Sequence, residues 1–174
     1  MTIIDAHSHL WLNQDTVVDG QRIYTTTNGR SMFFGQEVQM LPPFMTDGRN
    51  TAEVFLSNMN YAQVGGAFVV QEFIDCFQND YLAEVAEKYP DRFFVCGMAD
   101  YRNPGFSEHA ISLVDSGFRG IAIPGHRLHA PLNSDEMMLM FKHMEKKGAI
   151  LSLCLHEDNH QLGELEDVVT ECPD

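Results

Sequence analysis

Apolar stretches recur along this chain at a nearly constant interval, each following a segment with helical periodicity. They end near Gln71, Asp100, Gly125 and His156, so successive ends lie 29, 25 and 31 residues apart. That interval holds one strand, one crossover helix and short connections, which implies parallel strands joined by right-handed crossovers. The run Gly66-Ala67-Phe68-Val69-Val70 is continuously apolar, as a strand covered on both faces requires. An open doubly wound sheet and a closed barrel both satisfy the rhythm. No Gly-rich phosphate loop follows the first strand, which disfavours dinucleotide binding. Polar residues at several strand ends favour the barrel, whose active site is assembled there.

The pattern predicts helices over about 50–63, with Asn50 and Glu53 as a capping box, and over 80–89, 108–116, 135–147 and 161–171. Ser134 and Gly148 bound the fourth, whose Met137, Met138, Met140 and Met144 read as core against the sheet. Counting the N-terminal strand there are five strands, whereas a TIM-type (β/α)8 barrel has eight and about 250 residues. The expectation is one domain over 1–174 carrying about five of eight units, an N-terminal portion of a longer protein. A chain truly ending at Asp174 would be nearly inactive, and would pair its open strand edges with a second copy in a homo-oligomer. Residues 10–50 read as a long irregular stretch, a lid or pocket wall with Trp11, Tyr24, Phe33, Phe34 and Phe44 to pack it.

The first strand, Ile3-Ile4-Asp5-Ala6-His7-Ser8-His9, carries the chemistry. Alternation in an extended strand sends Asp5, His7 and His9 to one side and Ile4, Ala6 and Ser8 to the other. Two neutral imidazoles on one rigid strand bind a borderline metal with little further ordering cost. Leaving three polar side chains buried and unpaired would instead be costly. Asp5 lies deeper along the strand. It suits a hydrogen bond to a ligating imidazole, a general base or a purely structural role.

The 25 acidic residues outnumber the 11 basic ones, for a net charge of −14, which argues against nucleic acid as a partner. No apolar run reaches the roughly 18 residues of a membrane span, and no basic-then-apolar leader opens the chain. Cys76, Cys96, Cys154 and Cys172 form no C-x-x-C pair. They read as buried free thiols of a cytoplasmic protein.

Asp5-Ala6-His7-Ser8-His9 resembles the first-strand D-x-H-x-H signature of the amidohydrolase superfamily. An ordered set of later segments resembles its amidohydrolase-related branch of lactonases and metal-dependent decarboxylases: Gln78-Asn79-Asp80-Tyr81-Leu82, Tyr89-Pro90-Asp91-Arg92-Phe93, Gly117-Phe118-Arg119-Gly120-Ile121 and the strand ending at His156. The resemblance implies that His7, His9 and His156 bind a divalent metal, zinc first and manganese second, although some lactonases of the branch work without one. It also implies an aspartate ending an eighth strand, a position beyond this chain.

Together these observations point to a hydrolase that uses metal-activated water on a C–O or C–N bond of a small carboxylated substrate. The alternatives are a nonoxidative decarboxylase on the same scaffold and a noncatalytic partial barrel that oligomerises. His126 and Arg127 follow the fourth strand. The Arg127 guanidinium suits either bidentate recognition of a substrate carboxylate or a surface ion pair.

Overall fold

A computed structural model describes residues 2–155 and 160–174. Five parallel strands alternate with helices: β1 (Ile4–Ser8), β6 (Gly66–Val69), β7 (Phe93–Gly97), β8 (Gly120–Pro124) and β9 (Ile150–Cys154), hydrogen-bonded in that order. Helices α1 (Ala52–Tyr61), α2 (Asn79–Lys88), α3 (Phe106–Asp115) and α4 (Asp135–Lys147) connect them, and α5 (His160–Glu171) follows. This is the expected βα rhythm and the strand arrangement of a partial TIM-type barrel. The chain divides into two compact units, Met1–Phe94 and Val95–Asp174, with the boundary inside β7.

In the first unit β1 pairs in parallel with β6, Ile4 opposite Gly66 and Asp5 opposite Ala67. Ala67, Val69, Leu82, Val85 and Phe93 are buried. The Phe93 ring meets Tyr89 edge to face at 5.9 Å and Phe55 at 6.3 Å, which fastens α1 and α2 to the strand layer. The cap of α1 is Thr51, whose hydroxyl accepts from the Val54 N–H, and not Asn50. The Asn50 amide is engaged elsewhere, on the backbone that follows β1.

Residues 10–50 are not irregular. They contain an antiparallel meander of four short strands, β2 (Asp15–Val18), β3 (Gln21–Thr25), β4 (Arg30–Phe33) and β5 (Gln36–Gln39). Asp19 and Gly20 have φ of 51° and 76°, and the pair joins Val18 to Gln21, the geometry of a two-residue hairpin turn with both φ positive. Phe34-Gly35 repeats it at φ 48° and 80°. Each strand is only four or five residues long and carries one or two apolar side chains, too few to show a sustained period. Trp11 and Ile23 are buried, whereas Phe44 is 71% exposed.

In the second unit β7, β8 and β9 pair in parallel, with Gly120 opposite both Cys96 and Ile150. A Cβ on Gly120 would collide with the Ile150 carbonyl and the Cys96 sulfur, so glycine sets the approach of these strands. β8 is buried throughout. Met137, Met140 and Met144 form the buried face of α4 as expected, while Leu139 is 68% exposed. His143 and Lys147 of α4 both reach Asp115 at the end of α3, at 3.1 and 2.6 Å. All four cysteines are free thiols. Cys96 is buried, which pushes its thiol up to about 12, but Cys154 sits exposed on β9. Among the described residues no helix is long and apolar enough to cross a membrane.

Phe93 is 2% exposed, and replacing it with alanine removes the ring on which α1 and α2 meet. Phe93→Ala is expected to cost about 3–5 kcal/mol, read as a lower urea midpoint, with little loss for the exposed control Phe44→Ala.

Candidate metal-binding site

β1 brings two imidazoles to one point. Nε2 of His7 lies 3.1 Å from Nε2 of His9, and the rings meet edge to face at 71°. At that distance one nitrogen donates and the other accepts, and both would ligate through Nε2 only as the Nδ1–H tautomers, with a cation in place of the shared proton. His9 is half-buried and His7 exposed. Burial holds His9 below the ordinary imidazole value and the neighbouring His7 adds to this, against weaker upward pulls from the Val70 backbone and Asp5. The neutral form thus favoured is the one that ligates metals. The Nδ1 atom of His9 is buried and makes no hydrogen bond.

Local backbone geometry aims these rings. The β1–β6 register shifts between Asp5 and Ser8, and there the Asp5 carboxylate accepts the His7 backbone N–H at 3.1 Å. Asp5 therefore braces the strand through the backbone of His7. Beyond β1 the Asn50 side chain donates to the His9 carbonyl at 2.7 Å, and Asn50 and Trp11 exchange backbone hydrogen bonds at 3.0 and 3.1 Å. The Trp11 indole N–H donates to the Gly48 carbonyl at 2.7 Å. The segment 9–11 is thereby tied to 48–50.

Glu72, from the loop after β6, is the third member. One carboxylate oxygen and the two imidazole nitrogens lie within 4.8 Å of one another. Gln71 shapes this loop: its carbonyl oxygen Oε1 accepts the Gln78 N–H at 2.7 Å and its Nε2 donates to Asn79 at 2.8 Å. Burial raises the Glu72 pKa and His7 opposes the rise. Two imidazoles and a carboxylate at this separation fit a divalent first-row cation.

Three residues further on, Asp75 is 5% exposed. Its carboxylate accepts from Gln14 Nε2 at 3.0 Å, and Gln14 Oε1 accepts from the Ser31 hydroxyl at 2.7 Å. This chain of bonds runs from the loop after β6 into the meander. Burial pushes the Asp75 carboxyl up from 3.8 to about 7; the Gln14 bond opposes this and the Glu72 charge adds to it.

The other residues singled out by sequence lie in the second unit or outside the described residues. His126 and Arg127 occupy a 3-10 turn, Gly125–Arg127, directly after β8; His126 is exposed and Arg127 half-buried. Asp100 closes the loop after β7 by holding the Arg102 guanidinium at 2.8 and 3.2 Å. His156 lies outside the described residues. Glu72 carried one legible signal, an acid directly after a predicted strand. Asp75 and Gln14 carried none, because their meeting depends on the meander.

A family model described as amidohydrolase matches residues 4–174. Among solved structures, a protein described as a probable 2-pyrone-4,6-dicarboxylic acid hydrolase from Acinetobacter baumannii, with citric acid bound, superposes with a TM-score of 0.59 at 19% identity, over 88% of this chain and 49% of that one. A protein assigned the same activity, from Pseudomonas putida, gives 0.60 at 12% identity over 98% and 54%. The 2,6-dihydroxybenzoate decarboxylase from Rhizobium gives 0.58 at 15% identity over 97% and 55%. The chain spans about half the length of these structures, and at such identities they speak to the fold. No curated protein sequence matches the chain.

Because Asp75 binds its proton more tightly when folded than when unfolded, the folded state holds the extra proton between about pH 4 and 7. Stability is therefore expected to fall across that window by a few kcal/mol, to order of magnitude, and to level off above it. Asp75→Asn keeps an acceptor for Gln14 and removes the titration. Urea unfolding at pH 5 and pH 8 should show a smaller difference in the variant than in the parent.

Proposed function

This chain belongs to the amidohydrolase family, and from that premise we propose that it is part of a metal-dependent hydrolase cleaving a C–O or C–N bond in a small carboxylated substrate. The observation that carries this reading is the convergence of the His7 and His9 Nε2 atoms to 3.1 Å on one strand. A divalent ion held there, zinc or manganese, would supply Lewis-acid chemistry, polarising a carbonyl and acidifying water. His7 and His9 would hold it, with His156 as a further ligand carried over from the family pattern.

The protein's own contribution is position and charge. Asp5 fixes the backbone of His7, and Asn50 fixes that of His9. Burial holds the His9 pKa below the ordinary imidazole value, which favours the ligating form. Arg127 is assigned to the substrate carboxylate, since a planar guanidinium grips it through two parallel hydrogen bonds. The two hydrolases and the decarboxylase of like fold are all named for carboxylated ring compounds, which supports a substrate of this class. The decarboxylase of like fold also supports a second reading, carbon dioxide release from an aromatic carboxylate.

Elemental analysis of the purified protein is expected to find about one divalent ion per chain, and His7→Ala, His9→Ala to lose it. Turnover of carboxylated lactones with solvent oxygen entering the product would establish hydrolysis, and carbon dioxide release without it would establish the second reading. An ion content near zero in the parent protein would overturn both. Arg127→Met is expected to raise KM for a carboxylated substrate roughly 10–100-fold over that for its neutral ester, measured by steady-state kinetics.

A further inference from the structure

We propose that Glu72 is a further protein donor of this site, adding a carboxylate to the His7 and His9 imidazoles for a divalent transition cation. The inference rests on the metal-dependent reading of His7 and His9 and extends it to a residue on a different strand end. Three observations support it. The three potential ligand atoms lie within 4.8 Å of one another. A tetrahedral or octahedral ion with bonds near 2.1 Å brings its ligand atoms to about 3–3.5 Å apart, so the two imidazole nitrogens at 3.1 Å already stand at ligand separation. The carboxylate then needs only a rotamer adjustment of an ångström or so.

The second observation is the loop that presents Glu72. Gln71 spans it with both amide atoms, the Asp75 N–H donates to the Glu72 carbonyl at 3.0 Å, and the Gln78 side chain donates to the Asp75 carbonyl at 2.6 Å. Cys76 is held at φ 63°, a left-handed conformation uncommon for a residue with a Cβ. A loop bound this closely delivers its carboxylate with little entropy left to lose on binding.

The third is chemical. Glu72 is half-buried beside His7, an uncommon setting for a glutamate that serves only solubility. Two neutral imidazoles and one carboxylate leave a divalent ion with net positive charge and open positions, the arrangement a catalytic ion needs.

The test is Co2+ and Mn2+ titration of the full chain, read by calorimetry and by the visible absorption of bound Co2+. Glu72→Gln is expected to weaken affinity by more than the roughly 10–100-fold that loss of an outer hydrogen-bonding partner costs, and to shift the Co2+ bands. Glu72→His, which replaces one ligating side chain with another, is expected to recover most of the affinity, a rescue that a folding defect would not show. The exposed acid Glu53 serves as control, with Glu53→Gln unchanged. Parent-like affinity and spectrum in Glu72→Gln would overturn the assignment, including where turnover alone falls, while tight binding lost in His7→Ala, His9→Ala would leave the metal-dependent reading intact. Failure of the parent chain to bind either ion would overturn both.

Discussion

The parallel pairing of β1 with β6 is the constraint on which the site depends. Neighbouring strands in a sheet lie about 4.8 Å apart, and in a parallel pair both chains leave at the same edge. Residues just beyond the two ends must therefore meet, whatever their distance in sequence. His7 and His9 come from the end of one strand and Glu72 from just past the end of the other, and their ligand atoms lie within 4.8 Å of one another. The bond from the Val70 N–H to the Ser8 carbonyl, at 2.9 Å, extends the pairing to the residues that flank the cluster. Losing this register would scatter all three groups at once, because a one-residue slip turns side chains to the opposite face.

Around this edge the chain spends its polar contacts on backbone, and few on the reactive groups themselves. Asp5 takes the His7 N–H, Asn50 the His9 carbonyl, and Gln71 the loop of Glu72. The meander of residues 15–39 serves the same end from further out. Its Gln14–Ser31 link grips Asp75 in a buried position, which ties the loop bearing Glu72 to a second sheet at the cost of a carboxyl displaced to about 7.

The long-period features of the fold were legible in the sequence and the short-period ones were not. α4 occupies the expected 135–147, and β6, β7, β8 and β9 all fall within their apolar runs, because buried parallel strands and amphipathic helices write strong patterns over many residues. The meander was read as irregular although Asp19-Gly20 and Asn28-Gly29 are hairpin signals in plain view; strands of four or five residues offer too little alternation to weigh against a search for longer periods. The cap of α1 is Thr51 and not Asn50, whose backbone pairs with Trp11 in an antiparallel bridge, a tertiary contact that local spacing does not reveal. In the site, the histidine pair is a local feature and could be read locally. The approach of Glu72 is a consequence of pairing between distant strands, and Asp5 turned out to grip His7 by its backbone.

Burial acts in opposite senses on the members of this cluster. It favours neutral His9, the ligating form, and it favours neutral Glu72, the form that does not ligate. Partial burial of the cluster thus works against its own carboxylate, with the neighbouring His7 pulling the other way. A cation held between the three groups would reverse that mismatch, since its field would stabilise the carboxylate and leave the imidazoles neutral. The same environment that makes Glu72 costly as an isolated acid makes it a strong donor to a positive ion, because a low local dielectric enlarges the attraction as well as the penalty.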